Sequence, residues 1–130
     1  MKILVCYDGS TDDETLLEIA QKHAKAFDAK VYVLTVLTGG DVDQLHDTEQ
    51  AKKDLEKVQN YFQENNPTSE TKMIFGETSA GECVIDFAQE KEIDEIIIGI
   101  RKKSKIGKFF FGSTAQYVIL EASCTIATVK

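Results

Sequence analysis

Short apolar runs alternate along the chain with stretches in which apolar residues recur every three or four positions. That alternation of two periodicities predicts strands and amphipathic helices in turn. Residues 3–7 form a first strand, ended by Asp8-Gly9-Ser10. Thr11 followed by Glu14 has capping-box spacing, with Asp12 and Asp13 in a first turn that favours negative charge. The helix that follows places Leu16, Ala20, His23, Ala24 and Phe27 on one face. On such a face His23 is expected to be a packed or half-buried side chain rather than a ligand. Residues 31–36 are β-branched and nearly uncharged, as in a strand covered on both faces. A loop with Gly39-Gly40 leads to a helix over 47–64, which turns Ala51, Leu55, Val58 and Phe62 inward and is broken by Asn65-Asn66-Pro67.

The second half repeats the alternation. A short strand is expected at 72–75, closed by Gly76, and a helix at 79–91 with Val84, Phe87 and Ala88 inward. Ile96-Ile97-Ile98 is the core of a fourth strand, followed by a loop over 99–111. A fourth helix starting near Ser113 turns Ala115, Val118, Ile119 and Ala122 inward, and 125–129 is a fifth strand. The order β-α-β-α-β-α-β-α-β implies a single α/β domain over 1–130, an open parallel sheet with helices on both faces.

Composition narrows what such a domain could do. At 130 residues the chain has the size of one domain and buries about two-thirds of its unfolded surface without help from a metal or disulfide. The formal net charge of −7 argues against nucleic-acid binding. Residues 101–108, RKKSKIGK, hold five basic residues and no acidic one, so removing them from the −7 leaves −12 on the rest. A lone basic loop on an acidic protein suits an anion, although a charge run at a loop tip can simply be solvated. Cys6, Cys83 and Cys124 lack zinc or disulfide spacing and read as small buried hydrophobes in a reducing cytosol. The first apolar run is too short for a signal peptide, and nothing approaches a membrane span. The expectation is a cytoplasmic protein without membrane insertion.

In open α/β sheets ligands sit beyond the carboxyl ends of the strands, at the switch point of the strand order. There Gly99 is expected to let the chain turn sharply off its strand. Gly112-Ser113-Thr114 opens a helix whose free N–H groups and dipole attract an anion. Ser113 could equally be a plain N-cap, and the two roles share one geometry. Arg101, Lys102, Lys103, Lys105 and Lys108 add positive charge, and an Arg can grip phosphate with two hydrogen bonds. Asp8 sits where a carboxylate could accept from a ribose hydroxyl or an adenine amine, or is simply a turn residue. The chain has no GxxxxGK[ST] loop, no GxGxxG fingerprint and no nucleophile–histidine arrangement. No pair of carboxylates is placed for acid–base work, so no catalytic residue is assigned and at most a slow ATPase is expected.

The spacing of that loop resembles the nucleotide motif of the universal stress protein family, G-x2-G-x9-G-[ST], in Gly99, Lys102, Gly112 and Ser113. Arg101 also stands where the family often has Arg. ILVCYDGS, the LTV ending at Val36, Gly76-Glu77-Thr78-Ser79 and the IIIG at 96–99 are similar to other family segments, so the resemblance spans nearly the whole chain. It implies strand order 3-2-1-4-5 and a nucleotide-binding regulatory or sensor protein of the stress response, taking ATP or AMP, with Mg²⁺ on the phosphates. By position, Tyr7 and Asp8, in the turn that continues through Gly9 and Ser10, together with Val36 at the end of the second strand, would surround the base. Ile98 would border the ribose, and Gly99, Gly112, Ser113 and Thr114 would hold the phosphates beside Arg101 and Lys102. It also implies a homodimer through the last strand, Ile126 to Val129. Lys102 departs from the motif glycine. It can add charge toward phosphate without a bidentate fork. The departure also motivates an alternative: an interaction module without nucleotide, whose 101–108 loop docks an acidic partner protein.

Overall fold

The computed structural model describes residues 1–8, 13–38, 44–66, 68–100 and 112–130. Gly9, Ser10, the capping-box Thr11, the 39–43 loop, Pro67, Arg101, Lys102 and the rest of the basic run lie outside them. The elements are β1 (Lys2–Cys6), α1 (Asp13–Phe27), β2 (Lys30–Thr38), α2 (Gln44–Asn65), β3 (Glu70–Gly76), α3 (Ala80–Glu90), β4 (Glu95–Gly99), α4 (Ser113–Glu121) and β5 (Thr125–Val129). All strand pairs are parallel, in the order β3-β2-β1-β4-β5. Several strands run one or two residues beyond the expected apolar cores. Ladder pairing carries the polar ends of β2 and β3 as far as Thr38 opposite Gly76.

The period of two in each strand sorts the core into two layers. Ile3, Val5, Val31, Val33, Ile97 and Val129 face α1 and α2, where Leu16, Ala20, Leu55, Val58 and Phe62 cover them. Leu4, Tyr32, Leu34, Ile96, Ile98 and Ile100 face α3 and α4, under Val84, Phe87, Ala115 and Val118. Helices α3 and α4 approach closely because α3 carries Gly81. A Cβ there would sit 2.7–2.9 Å from Tyr117 side-chain atoms of α4.

Two inward assignments need correction. Phe27 is 53% exposed, because the last turn of α1 packs its ring edge-on to His23 at 6.0 Å and not into the core. Ile119 is 40% exposed, because α4 lies at the β5 edge of the sheet and no further strand follows there among the described residues. The three cysteines are unpaired and half-buried, and Cys6 and Cys124 pack against the core. Of these, Cys6 has its thiol pushed up to about 12, first by burial and then by the charge of Asp8.

The amino ends of the strands are tied by hydrogen bonds. The Lys2 amide donates to Asp94 Oδ2 at 2.8 Å, the Asp94 amide to the Lys2 carbonyl at 2.9 Å, and Asn66 Nδ2 to the Ala29 carbonyl at 3.0 Å. Helices α1 and α3 both end through a left-handed residue, Asp28 (φ 49°) and Glu92 (φ 56°). In each case the next amide reaches back five residues, Ala29 to Ala24 and Ile93 to Ala88, both at 2.9 Å. These are Schellman closures, and Ala29 and Ile93 are buried as that motif prefers. His23 Nδ1 lies 2.5 Å from Oε1 of Glu95, which is buried at the start of β4. His23 is thus half-buried, as expected. Glu95 was not foreseen as its partner, and the charge directly ahead of the isoleucine run is the signal that could have shown it.

Candidate functional site

The strand order reverses between β1 and β4, so the crevice expected to take a ligand opens where those strands end. Cys6 pairs with Ile98 in the last rung of that ladder, which brings Tyr7-Asp8 beside Gly99-Ile100. The edge strand β5 adds its last residue: Gly99 pairs with Val129, and the Ile100 amide donates to the Val129 carbonyl at 2.8 Å.

The residues brought together lie mostly on the α3/α4 side of the sheet. Val36, Ile98, Ile100 and Cys6 belong to that layer. Asp8 is exposed and follows Cys6 by two residues, just past the end of β1. Tyr7 differs. Its side chain packs against the α1/α2 layer, on the far face of the sheet from Val36. What Tyr7 brings to the crevice is its backbone. Its amide donates to the Leu34 carbonyl at 2.9 Å, and its carbonyl accepts from the hydroxyl of Thr35 at 2.9 Å.

Gly99 is the final residue of β4, not a sharp turn, and its conformation is not left-handed. Among the described residues only the Val129 carbonyl oxygen comes within 4.0 Å of a Cβ built there. Neither strain nor crowding among these residues requires glycine at 99. Its exposed backbone leaves room for approach from outside the sheet.

Gly112 is the residue that the backbone does require. Its φ of +79° is one that side chains resist, and among the described residues a Cβ there would meet nothing within 4 Å. It is the N-cap of α4, and among the described residues no side-chain hydrogen bond caps that helix. Ser113 is therefore the first helical residue and not the cap, with its side chain exposed beside half-buried Thr114. An uncapped helix start offers backbone N–H groups and the positive dipole end to an anion. Of the site residues expected from sequence, Asp8, Val36, Ile98, Gly99, Gly112, Ser113 and Thr114 thus lie along one edge of the sheet. Gly9, Ser10, Arg101 and Lys102 fall outside the described residues.

Thr35 was not foreseen. It is the polar residue within the apolar run of β2 and is 6% exposed. A buried hydroxyl in such a run needs a partner, which is the signal that could have pointed to it.

A family model described as the universal stress protein family matches residues 1–130. A universal stress protein of Methanocaldococcus jannaschii is 29% identical over 140 residues, covering 99% of this chain and 81% of that relative. A universal stress protein of Archaeoglobus fulgidus superimposes with a TM-score of 0.88 at 31% identity, over 100% of this chain and 98% of the other. A structure of a universal stress protein from the same organism in complex with dAMP gives 0.80 at 28% identity, with the same coverage.

Proposed function

The chain belongs to the universal stress protein family, and from that membership we propose that it binds an adenine nucleotide as a regulatory or sensor protein of the stress response. The observation that carries this reading is the start of α4: a glycine N-cap at φ +79° and no side-chain cap among the described residues. Phosphate would meet the first-turn N–H groups of Ser113 and Thr114, the Ser113 and Thr114 hydroxyls, and the glycine backbone at 99 and 112. The base would lie over Val36, with Asp8 accepting from its amine or from a ribose hydroxyl and Ile98 beside the ribose. The dAMP complex of the 28% identical relative supports the nucleotide class. ATP is the proposed form, with Mg²⁺ held chiefly by its phosphates, since no group of three or more His, Cys, Asp or Glu side chains among the described residues could hold a metal.

Arg101 and Lys102 would add charge from the basic run, and Gly9-Ser10 would complete the turn after Asp8. The reading includes a homodimer through Ile126 to Val129, which the character of β5 supports: it is an edge strand without a charged side chain. The other edge, β3, carries Glu70 in an ion pair with Lys30 at 3.0 Å, together with Lys72. Charges of that kind discourage edge-to-edge pairing. Unpaired cysteines fit a reducing cytoplasm, and no helix among the described residues is long and apolar enough to cross a membrane.

Calorimetric titration with AMP and Mg-ATP tests this. Micromolar binding that weakens in Ser113→Ala and Lys102→Glu is expected, whereas no heat and no thermal shift at millimolar nucleotide sinks the reading. A second reading, an interaction module docking an acidic partner through 101–108, is favoured by Lys102 standing in place of the motif glycine. Nucleotide retained through purification, detected by mass spectrometry, would exclude it.

A further inference from the structure

The Thr35 hydroxyl is buried in the sheet and donates to the carbonyl of Tyr7, at the point where β1 leaves its ladder. Tyr7 lies one residue past the last β1–β2 rung, Cys6 opposite Leu34. Its amide still reaches the Leu34 carbonyl, so both backbone polar groups of Tyr7 are held from the β2 side, one by backbone and one by side chain. The Tyr7 carbonyl belongs to the peptide plane that carries the Asp8 amide. That peptide is trans, so its N–H points opposite to its C=O. With the carbonyl drawn toward β2, the Asp8 N–H is aimed away from β2, toward the β4 side of β1 and the crevice.

A valine would fill the same space as Thr35 and continue the apolar run of β2. The hydroxyl is the feature that ties the first strand's exit to the second strand. We propose that Thr35 is a positioning residue of the ligand site: it locks the Tyr7–Asp8 peptide so that Asp8 is presented to a bound nucleotide from the β1 side of the crevice. This rests on the nucleotide reading above and adds to it a residue that touches no ligand.

The test is a calorimetric double-mutant cycle with AMP and Mg-ATP on the full chain, using Thr35→Val, Asp8→Ala and the pair. Thr35→Val is expected to weaken binding about tenfold, the equivalent of about 1.4 kcal/mol. Thr35→Ser, which keeps the hydroxyl, is expected to stay within about twofold of the unmodified protein. If Thr35 acts through Asp8, Thr35→Val adds little once Asp8 is alanine, because the two losses are one loss. A merely structural role would instead make the two effects multiply, and that outcome overturns the proposal. So does Thr35→Val binding as well as the unmodified protein, or Thr35→Ser binding as poorly as Thr35→Val. Should Thr35→Val not fold, Thr35→Cys replaces it, with a similar size and a weaker donor. Weakened binding by Thr35→Cys beside retained binding by Thr35→Ser supports the proposal, and equal binding by both overturns it. An unmodified protein that binds neither nucleotide overturns the function reading itself and this inference with it, whereas binding insensitive to Thr35 overturns this inference alone.

Discussion

Helices α3 and α4 start at the same edge of the sheet, on the same face and packed against each other through Gly81 and Tyr117. Their starts are built differently. The start of α3 is closed by its own sequence: Ser79 is in an extended conformation, and its hydroxyl accepts from the Glu82 amide at 3.3 Å. The start of α4 has Gly112 at the corresponding position, at φ +79° and ψ 148°, and without a side-chain cap among the described residues. A serine cap satisfies one of the orphan donors that every helix start carries, whereas a glycine cap leaves them to water or to a ligand. The difference separates a helix start that stabilises the fold from one that is available to an anion.

The largest expected effect comes from closing the open start. Gly112→Val places a β-branched residue at φ +79° and ψ 148°, a backbone region nearly confined to glycine that costs another residue about 1–3 kcal/mol. Nucleotide affinity is expected to fall by at least about tenfold in calorimetry. Unchanged affinity would show that this helix start is not the anion site. Next, Gly81→Ala should disturb both helices at once. The new Cβ meets Tyr117 at 2.7–2.9 Å, and overpacking of about 1–3 kcal/mol outweighs the roughly 1 kcal/mol gained in helix propensity. A lowered urea midpoint is expected, with only partial recovery when Tyr117 is trimmed to Ala in the same chain, because the Tyr117 Cβ itself lies 2.9 Å away.

Ser79→Ala sharpens the contrast from the other side. Losing a cap bond as long as 3.3 Å should cost about 0.5–1 kcal/mol in denaturant unfolding. Nucleotide affinity should not change, and a matching loss of affinity would erase the distinction between the two helix starts. The smallest effect is absent at neutral pH. Burial, and then Asp8, hold the Cys6 thiol up to about 12 in the folded chain, against an ordinary value of 9.0. Below pH 9 both states keep the proton and stability is unaffected. Between pH 9 and about 12 the unfolded chain releases the proton while the folded chain retains it, so stability falls across that window. Cys6→Ala should flatten this alkaline decline in a pH series of thermal midpoints, and an equally steep decline would remove Cys6 as its cause.

Much of this was legible in the sequence. The strand cores 31–36 and 96–98 and the inward faces of α2 and α3 follow from periodicity, because burial on both sides of a parallel sheet allows few other patterns. Gly112 and Ser113 were recognisable as a helix start from their types and order. The pairings of single polar groups were not legible. Glu95 is far from His23 in sequence, and Thr35 looks like one more β-branched strand residue. Tyr7 was read as a wall for the base, but the alternation of side chains sends it to the opposite face from Val36.

The sequence by itself determined the order of elements, the two apolar layers and the glycine that lets α4 begin without a cap, since these depend on residue type and local spacing. The tertiary structure decided which strand ends meet, which face each side chain of the crevice takes, and that a buried threonine on β2 holds the exit of β1. Those facts depend on register between strands distant along the chain, and register is set only when the whole sheet is paired.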